Sequence, residues 1–132
     1  MRWRGAVIAT AFLAGCVGDE TLTAFAQDDT VFHLAQIDGV TFAARATIDI
    51  SVPGEVSGQA PCNSYSADQT APYPWFELGP IRSTRRACDS LQTEQQFLSA
   101  LRTMTIAELL GDTLILSNTD GAEMVFRSHL LE

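Results

Sequence analysis

Pro61-Cys62-Asn63-Ser64-Tyr65 and Ser83-Thr84-Arg85-Arg86-Ala87-Cys88 are the two stretches on which the reading of the fold turns. They bracket a segment rich in proline and aromatic residues, Ala71 to Pro80. They carry the two cysteines that remain once the N-terminal leader is set aside. We read them as the two ends of a staple inside a small β-rich domain.

Working outward, the flanking stretches read as short strands with turns between them. Thr30 to Ile37 is a first strand, with Phe32, Leu34 and Gln36 on one side and Val31 and Ile37 off it, so its alternation is imperfect. Asp38-Gly39 is a turn. Thr47 to Val52 alternates, which turns Ile48, Ile50 and Val52 inward and Thr47, Asp49 and Ser51 outward. Pro53-Gly54 breaks it, and Glu55 to Ala60 runs back toward Cys62. The three prolines between Ala71 and Pro80 confine any strand there to Trp75–Leu78, because proline cannot donate to a ladder. Ile81 to Thr84 reads as an edge segment.

Asp89 or Ser90 can cap the one clear helix. Leu91 and then Phe97, Leu98, Leu101 and Met104 are its apolar positions, the last four at helical spacing. Thr105–Leu109, Gly111-Asp112 and Thr113–Leu116 form a hairpin, and Asn118–Gly121 turns into a last strand at Met124–Phe126. Many strands and one helix define an α+β domain, a curved, half-barrel-like antiparallel sheet packed on one helix.

The chain has 132 residues, enough for one domain, and 46% of them are hydrophobic, the proportion of a globular core rather than a disordered tail. Its net charge is −8, and removal of Arg2 and Arg4 with the leader leaves an even more acidic body. Such a body does not suit nucleic-acid binding by counterion release, and it is repelled by anionic headgroups.

Met1-Arg2-Trp3-Arg4 and the apolar run Gly5 to Phe12 make a secretory leader, too short to span a bilayer. It ends in Leu13-Ala14-Gly15-Cys16, which resembles the lipobox of bacterial lipoproteins. The resemblance implies cleavage before Cys16, acylation of its thiol and N-terminus, and a lipid anchor as the link to the membrane. Residue 17 is Val rather than Asp, which in Gram-negative lipoproteins favours the outer membrane facing the periplasm. Residues 1–15 are then the signal peptide, 16–29 a lipidated acidic tether with Asp19, Glu20, Asp28 and Asp29, and 30–128 the folded domain.

The order of motifs resembles the META domain, the family that includes the HslJ heat-shock protein. The matching features are Cys62-Asn63, then Thr84-Arg85-Arg86-Ala87-Cys88, then the Glu94, Phe97, Leu101 helix core. Leu114-Ile115-Leu116, Asp120-Gly121 and Val125-Phe126 follow. The resemblance runs from Thr30 to Arg127. Phe32 stands where the family has tryptophan, and Pro61 where it has glycine. The family implies a small exported or lipidated β-rich domain with links to stress response and drug tolerance. It brings no shared catalytic residues and no cofactor.

In an oxidising periplasm Cys62 and Cys88 suggest a disulfide. Two buried free thiols, or a redox site at Cys88 activated by the neighbouring arginines, are the alternatives. Arg82, Arg85 and Arg86 either dock an anion or neutralise nearby acids. Asn63 either lines a site or braces its turn. His33 and His129 come with no nucleophile constellation. The acids of the tether lack calcium-loop spacing, and no metal set is present. Tyr65, Tyr73, Trp75 and Phe76 are candidates for an apolar groove, against ordinary burial in the core. The expected function is non-enzymatic: an envelope stress protein or periplasmic binding module, its partner an unknown envelope protein or apolar ligand. A pilotin-like chaperone for an outer-membrane protein and a thiol redox factor are the competing readings.

Overall fold

The computed structural model describes Gly5, residues 18–26 and residues 30–129. The rest of the leader, the expected lipidation site Cys16 and the acids Asp28 and Asp29 lie outside the described residues. Within them, nine strands form one open antiparallel sheet that packs on one main helix. In chain order the strands are β1 (Val31–Ile37), β2 (Val40–Thr41), β3 (Thr47–Asp49), β4 (Glu55–Gln59), β5 (Ser64–Asp68), β6 (Arg82–Ser83), β7 (Ile106–Leu110), β8 (Thr113–Ser117) and β9 (Glu123–Arg127). A short helix, α1 (Leu22–Phe25), precedes them, and α2 (Leu91–Thr103) lies between β6 and β7. The order across the sheet is β6-β5-β4-β3-β1-β9-β8-β7, with β2 paired to β1.

The first strand shows why its alternation looked imperfect. Its register against β9 shifts between Leu34 and Gln36. A bulge there changes the parity of the strand. Ile37 therefore joins Phe32 and Leu34 in the core, and Gln36, expected on that side, is only half-buried. The next expectation fails at its end. Val52 lies past the last paired residue of β3 and is 52% exposed. Thr47, expected outside, is only 5% exposed. Its hydroxyl accepts the Gln59 N–H (2.9 Å), and its carbonyl accepts the Tyr65 hydroxyl (2.7 Å).

Four phenylalanines, Phe32, Phe76, Phe97 and Phe126, fill the core with Ile48, Ile50, Leu101, Leu114, Leu116 and Met124. Phe97 brings α2 into this cluster and meets the Tyr65 ring edge-on at 5.6 Å. Phe97, Leu98, Leu101 and Met104 are buried as expected, but Leu91 is exposed. Neither Asp89 nor Ser90 caps the helix with its side chain. The turn before α2 uses Cys88 instead. Its carbonyl accepts the Leu91 N–H, and its sulfur accepts the Ser90 N–H.

Beyond β5 the chain crosses to the far edge of the sheet. Buried Gln69 organises this crossing, with its side-chain oxygen accepting the Ala71 and Glu77 N–H groups. Trp75 then bridges Ile106, and Phe76 donates to the Thr105 carbonyl, so the segment covers the outer edge of β7. The expected strand at 75–78 is thus a pair of isolated bridges, at Trp75 and at Leu78. The segment before the sheet also differs from expectation. Glu20 to Ala26, placed in the tether, packs on the domain. Leu22 is 2% exposed, the Tyr73 N–H reaches the Glu20 carbonyl (2.8 Å), and Phe25 stacks on Tyr73 at 4.5 Å.

Gly58 in β4 sits under the Tyr65 ring, and a Cβ there would run into the backbone carbonyl of Thr47. Gly58→Ala is therefore expected to cost at least about 2 kcal/mol, because backbone cannot step aside cheaply. Urea unfolding of the two proteins measures it. Burial, helped by the nearby Asp49 carboxylate, holds the Tyr65 phenol above its ordinary range. The unfolded chain releases this proton near pH ~10. The folded chain keeps it, so stability is full below that pH and falls as pH rises through it. Tyr65→Phe is expected to flatten this alkaline loss while costing about 1 kcal/mol at neutral pH through the unpaired Thr47 carbonyl. Denaturant midpoints of both proteins from pH 7 upward check both effects.

Candidate functional site

A disulfide joins Cys62 and Cys88, with Cα atoms 6.0 Å apart across 26 positions of sequence. Closing a loop of this length is worth about 3–4 kcal/mol in the chain-entropy account. The bond brings the turn after β4 against the start of α2, where a buried polar network forms.

Glu94, in the first turn of α2, is the acceptor of that network. Its Oε1 takes the backbone N–H groups of Cys62 (3.0 Å) and Asn63 (2.7 Å). Its Oε2 takes the Asn63 side-chain amide (2.8 Å). Asn63 passes the connection on. Its side-chain oxygen accepts the Arg86 N–H and the Thr84 hydroxyl, and its amide also reaches the Arg86 carbonyl (3.3 Å). Thr84 returns to β5, donating its N–H to the Ser64 carbonyl and accepting the Ser64 N–H. A buried carboxylate and amide are tolerated because each polar atom has a partner. So Asn63 braces more than its own turn. It fixes the whole strap from Ser83 to Cys88.

A groove of about 470 Å³ runs between that strap and α2. Ser83, Thr84, Arg85, Arg86 and Ala87 form one wall. Leu91, Gln95, Leu98, Ser99 and Arg102 form the other, with Asn63 and Glu94 between. Of the motif residues, Asn63, Thr84, Ala87 and Glu94 thus gather at the groove, while Phe97 and Leu101 serve the core. Arg82, by contrast, pairs with Asp68 at 3.6 Å. Among the described residues Arg85, Arg86 and Arg102 face no carboxylate at salt-bridge distance. The expectation that the arginines neutralise acids holds for Arg82 alone.

The aromatic residues do not assemble into a groove. Tyr65 and Phe76 are buried in the core, Tyr73 is half-buried with its hydroxyl accepting the Leu109 N–H, and Trp75 is 59% exposed. His33 and His129, distant in sequence, line one shallow cleft with Arg127, Gln36, Thr41 and Phe42. No serine or cysteine lines it. Among the described residues no group of three His, Cys, Asp or Glu is placed to hold a metal, and no helix is long and apolar enough to cross a membrane. The helix wall of the groove was missed in the sequence. Leu91, Gln95, Leu98, Ser99 and Arg102 repeat at helical spacing, and Leu91 already stood apart from the core face.

The META-domain family model matches residues 21–129, most of the chain, and the chain belongs to the META-domain family. That match begins at Thr21, in keeping with the packing of Leu22. Among solved structures the chain is similar to an NMR structure of a protein from Burkholderia xenovorans, with 24% identity and a TM-score of 0.61, covering 80% of this chain and 84% of that one. It is also similar to a DUF4847 family protein from Bacteroides vulgatus, with 12% identity and a TM-score of 0.56, covering 66% of this chain and 61% of the other. At these identities the likeness concerns the fold. No curated protein matches the chain.

Glu94→Gln keeps one acceptor oxygen but sets a second amide against the Asn63 amide, donor to donor. It is expected to cost about 2–3 kcal/mol, and Asn63→Ala a similar amount, because buried partners are left unpaired. The double variant should cost clearly less than the sum, since both changes break one network. A double-mutant cycle in urea reads this, and strict additivity would contradict the network.

Proposed function

We propose that this chain is a non-enzymatic, lipid-anchored lipoprotein of the bacterial envelope whose META domain acts as a binding module, in envelope stress response. The observation that carries this reading is the groove between the strap and α2. Two kinds of restraint, the disulfide and the Asn63–Glu94 network, hold its wall in place. A preformed concave surface with mixed lining suits recognition. Its polar residues are guanidinium, amide and hydroxyl groups and one carboxylate, Glu94, whose two oxygens already accept N–H groups of Cys62 and Asn63, which suits binding better than chemistry. The Cys88 sulfur, central to a redox reading, is tied to Cys62. The leader and Leu13-Ala14-Gly15-Cys16 supply the anchor and the outer-membrane placement in this reading. A pilotin-like chaperone would be one specialised form of such a module.

Two measurements test it. Intact-mass analysis of protein from native envelopes should show an acylated chain beginning at Cys16, and Cys16→Ser should move the protein out of the membrane fraction. A photo-crosslinking residue at Gln95, inside the groove, should yield a discrete protein adduct in intact cells, whereas one at exposed Val40 should not. Unacylated native protein would refute the anchor. Equal labelling from both positions would refute the groove as the binding surface.

A further inference from the structure

We propose that the groove is a docking site for an acidic segment of a partner protein, bound extended along β6. This rests on the reading of the chain as a binding module and names the chemistry of its partner. The charge of the groove favours such a segment. The chain carries −8 overall, yet Arg85 and Arg86 on one wall and Arg102 on the other place three of its eight basic residues on one groove. The one acid in the lining, Glu94, already accepts three N–H groups at its two oxygens. The groove is thus a local reversal of sign on an acidic body, and it is complementary to carboxylates.

A peptide suits the groove better than a single small anion does. Arg85, Arg86 and Arg102 are all exposed. An exposed guanidinium contributes little to any one ion pair, so one phosphate gains little here. An array of carboxylates spread along both walls gains from each. The lining also includes exposed Leu91 beside Leu98, a place for an apolar side chain between the charges.

The backbone at the sheet edge suits an extended segment as well. β6 is the last strand of its sheet, paired only to β5 through Tyr65↔Ser83 and Ser66↔Arg82. An edge strand is a template for an added strand. Asn63 pins the strap at Thr84 and Arg86, and the disulfide pins it at Cys88. The edge is therefore ordered before binding, which lowers the entropic cost of association.

The test uses the full-length protein, in nonionic detergent for the peptide titrations and detergent-free for the vesicles, and a fluorescein-labelled decapeptide of alternating glutamate and valine, followed by anisotropy. The comparators are the glutamine-valine decapeptide, inorganic phosphate and phosphatidylglycerol vesicles. The acidic peptide is expected to bind about tenfold or more tightly than the glutamine peptide, and raising salt from about 50 to about 500 mM should weaken it severalfold. Arg85→Gln with Arg86→Gln is expected to weaken binding about tenfold, and Arg102→Gln on the opposite wall about threefold. Arg45→Gln, away from the groove, should leave it unchanged. These side chains are exposed, and urea midpoints will confirm that the variants fold. Equal affinity for the two peptides overturns the proposal, as does an equal loss from Arg45→Gln. Arginine-dependent binding of the vesicles without binding of the peptide also overturns it, in favour of a lipid surface. A Gln95 adduct in cells combined with no preference for the acidic peptide overturns the acidic segment while the binding module stands.

Discussion

One carboxylate holds three separate parts of this chain together. Glu94 takes the backbone of Cys62 and Asn63 and the side chain of Asn63, and Asn63 in turn takes Thr84 and Arg86. The helix, the corner after β4 and the arginine strap are thereby placed by one set of hydrogen bonds. A carboxylate at this depth is acceptable only while those donors are present. The disulfide lies beside this network and acts differently. It limits the unfolded chain, whereas the network selects the native arrangement. With both in place, the strap is a fixed wall rather than a surface loop.

The sheet supplies the rest of the frame. It stays open, but neither edge is treated alike. The segment after Gln69 covers the outer side of β7 through Trp75 and Phe76. At the other end β6 is only two residues long and leads directly into the strap. A short, charged edge strand is a common protection against unwanted pairing. Here the same feature leaves a bounded edge beside the helix, and the groove follows from it. The fold thus brings Asn63, Thr84, Ala87 and Glu94 together at one place.

Much of the architecture was legible from local pattern. The Gly111-Asp112 and Asp120-Gly121 turns and the apolar spacing at Phe97, Leu98, Leu101 and Met104 are short-range signals, and each element formed where it was expected. β5 was not legible. Ser64-Tyr65-Ser66-Ala67-Asp68 has small or polar residues at four of five positions, so its strand character comes from pairing with β4 over its whole length. The aromatic cluster failed for a related reason. Tyr65, Tyr73, Trp75 and Phe76 are close in sequence, but a strand, a crossing and an edge bridge send them in different directions.

By itself the sequence determined an acidic chain with few cysteines and the periodic strands, helix and ordered motifs of a META domain. Those are properties of composition and of spacing within a few residues. Only the tertiary structure decided that Glu94 faces Asn63, that Leu22 belongs to the core, and that Arg85, Arg86 and Arg102 share a groove. Such pairings join residues far apart along the chain. They depend on how hydrogen-bond donors and apolar surface are satisfied in three dimensions, which no local period encodes.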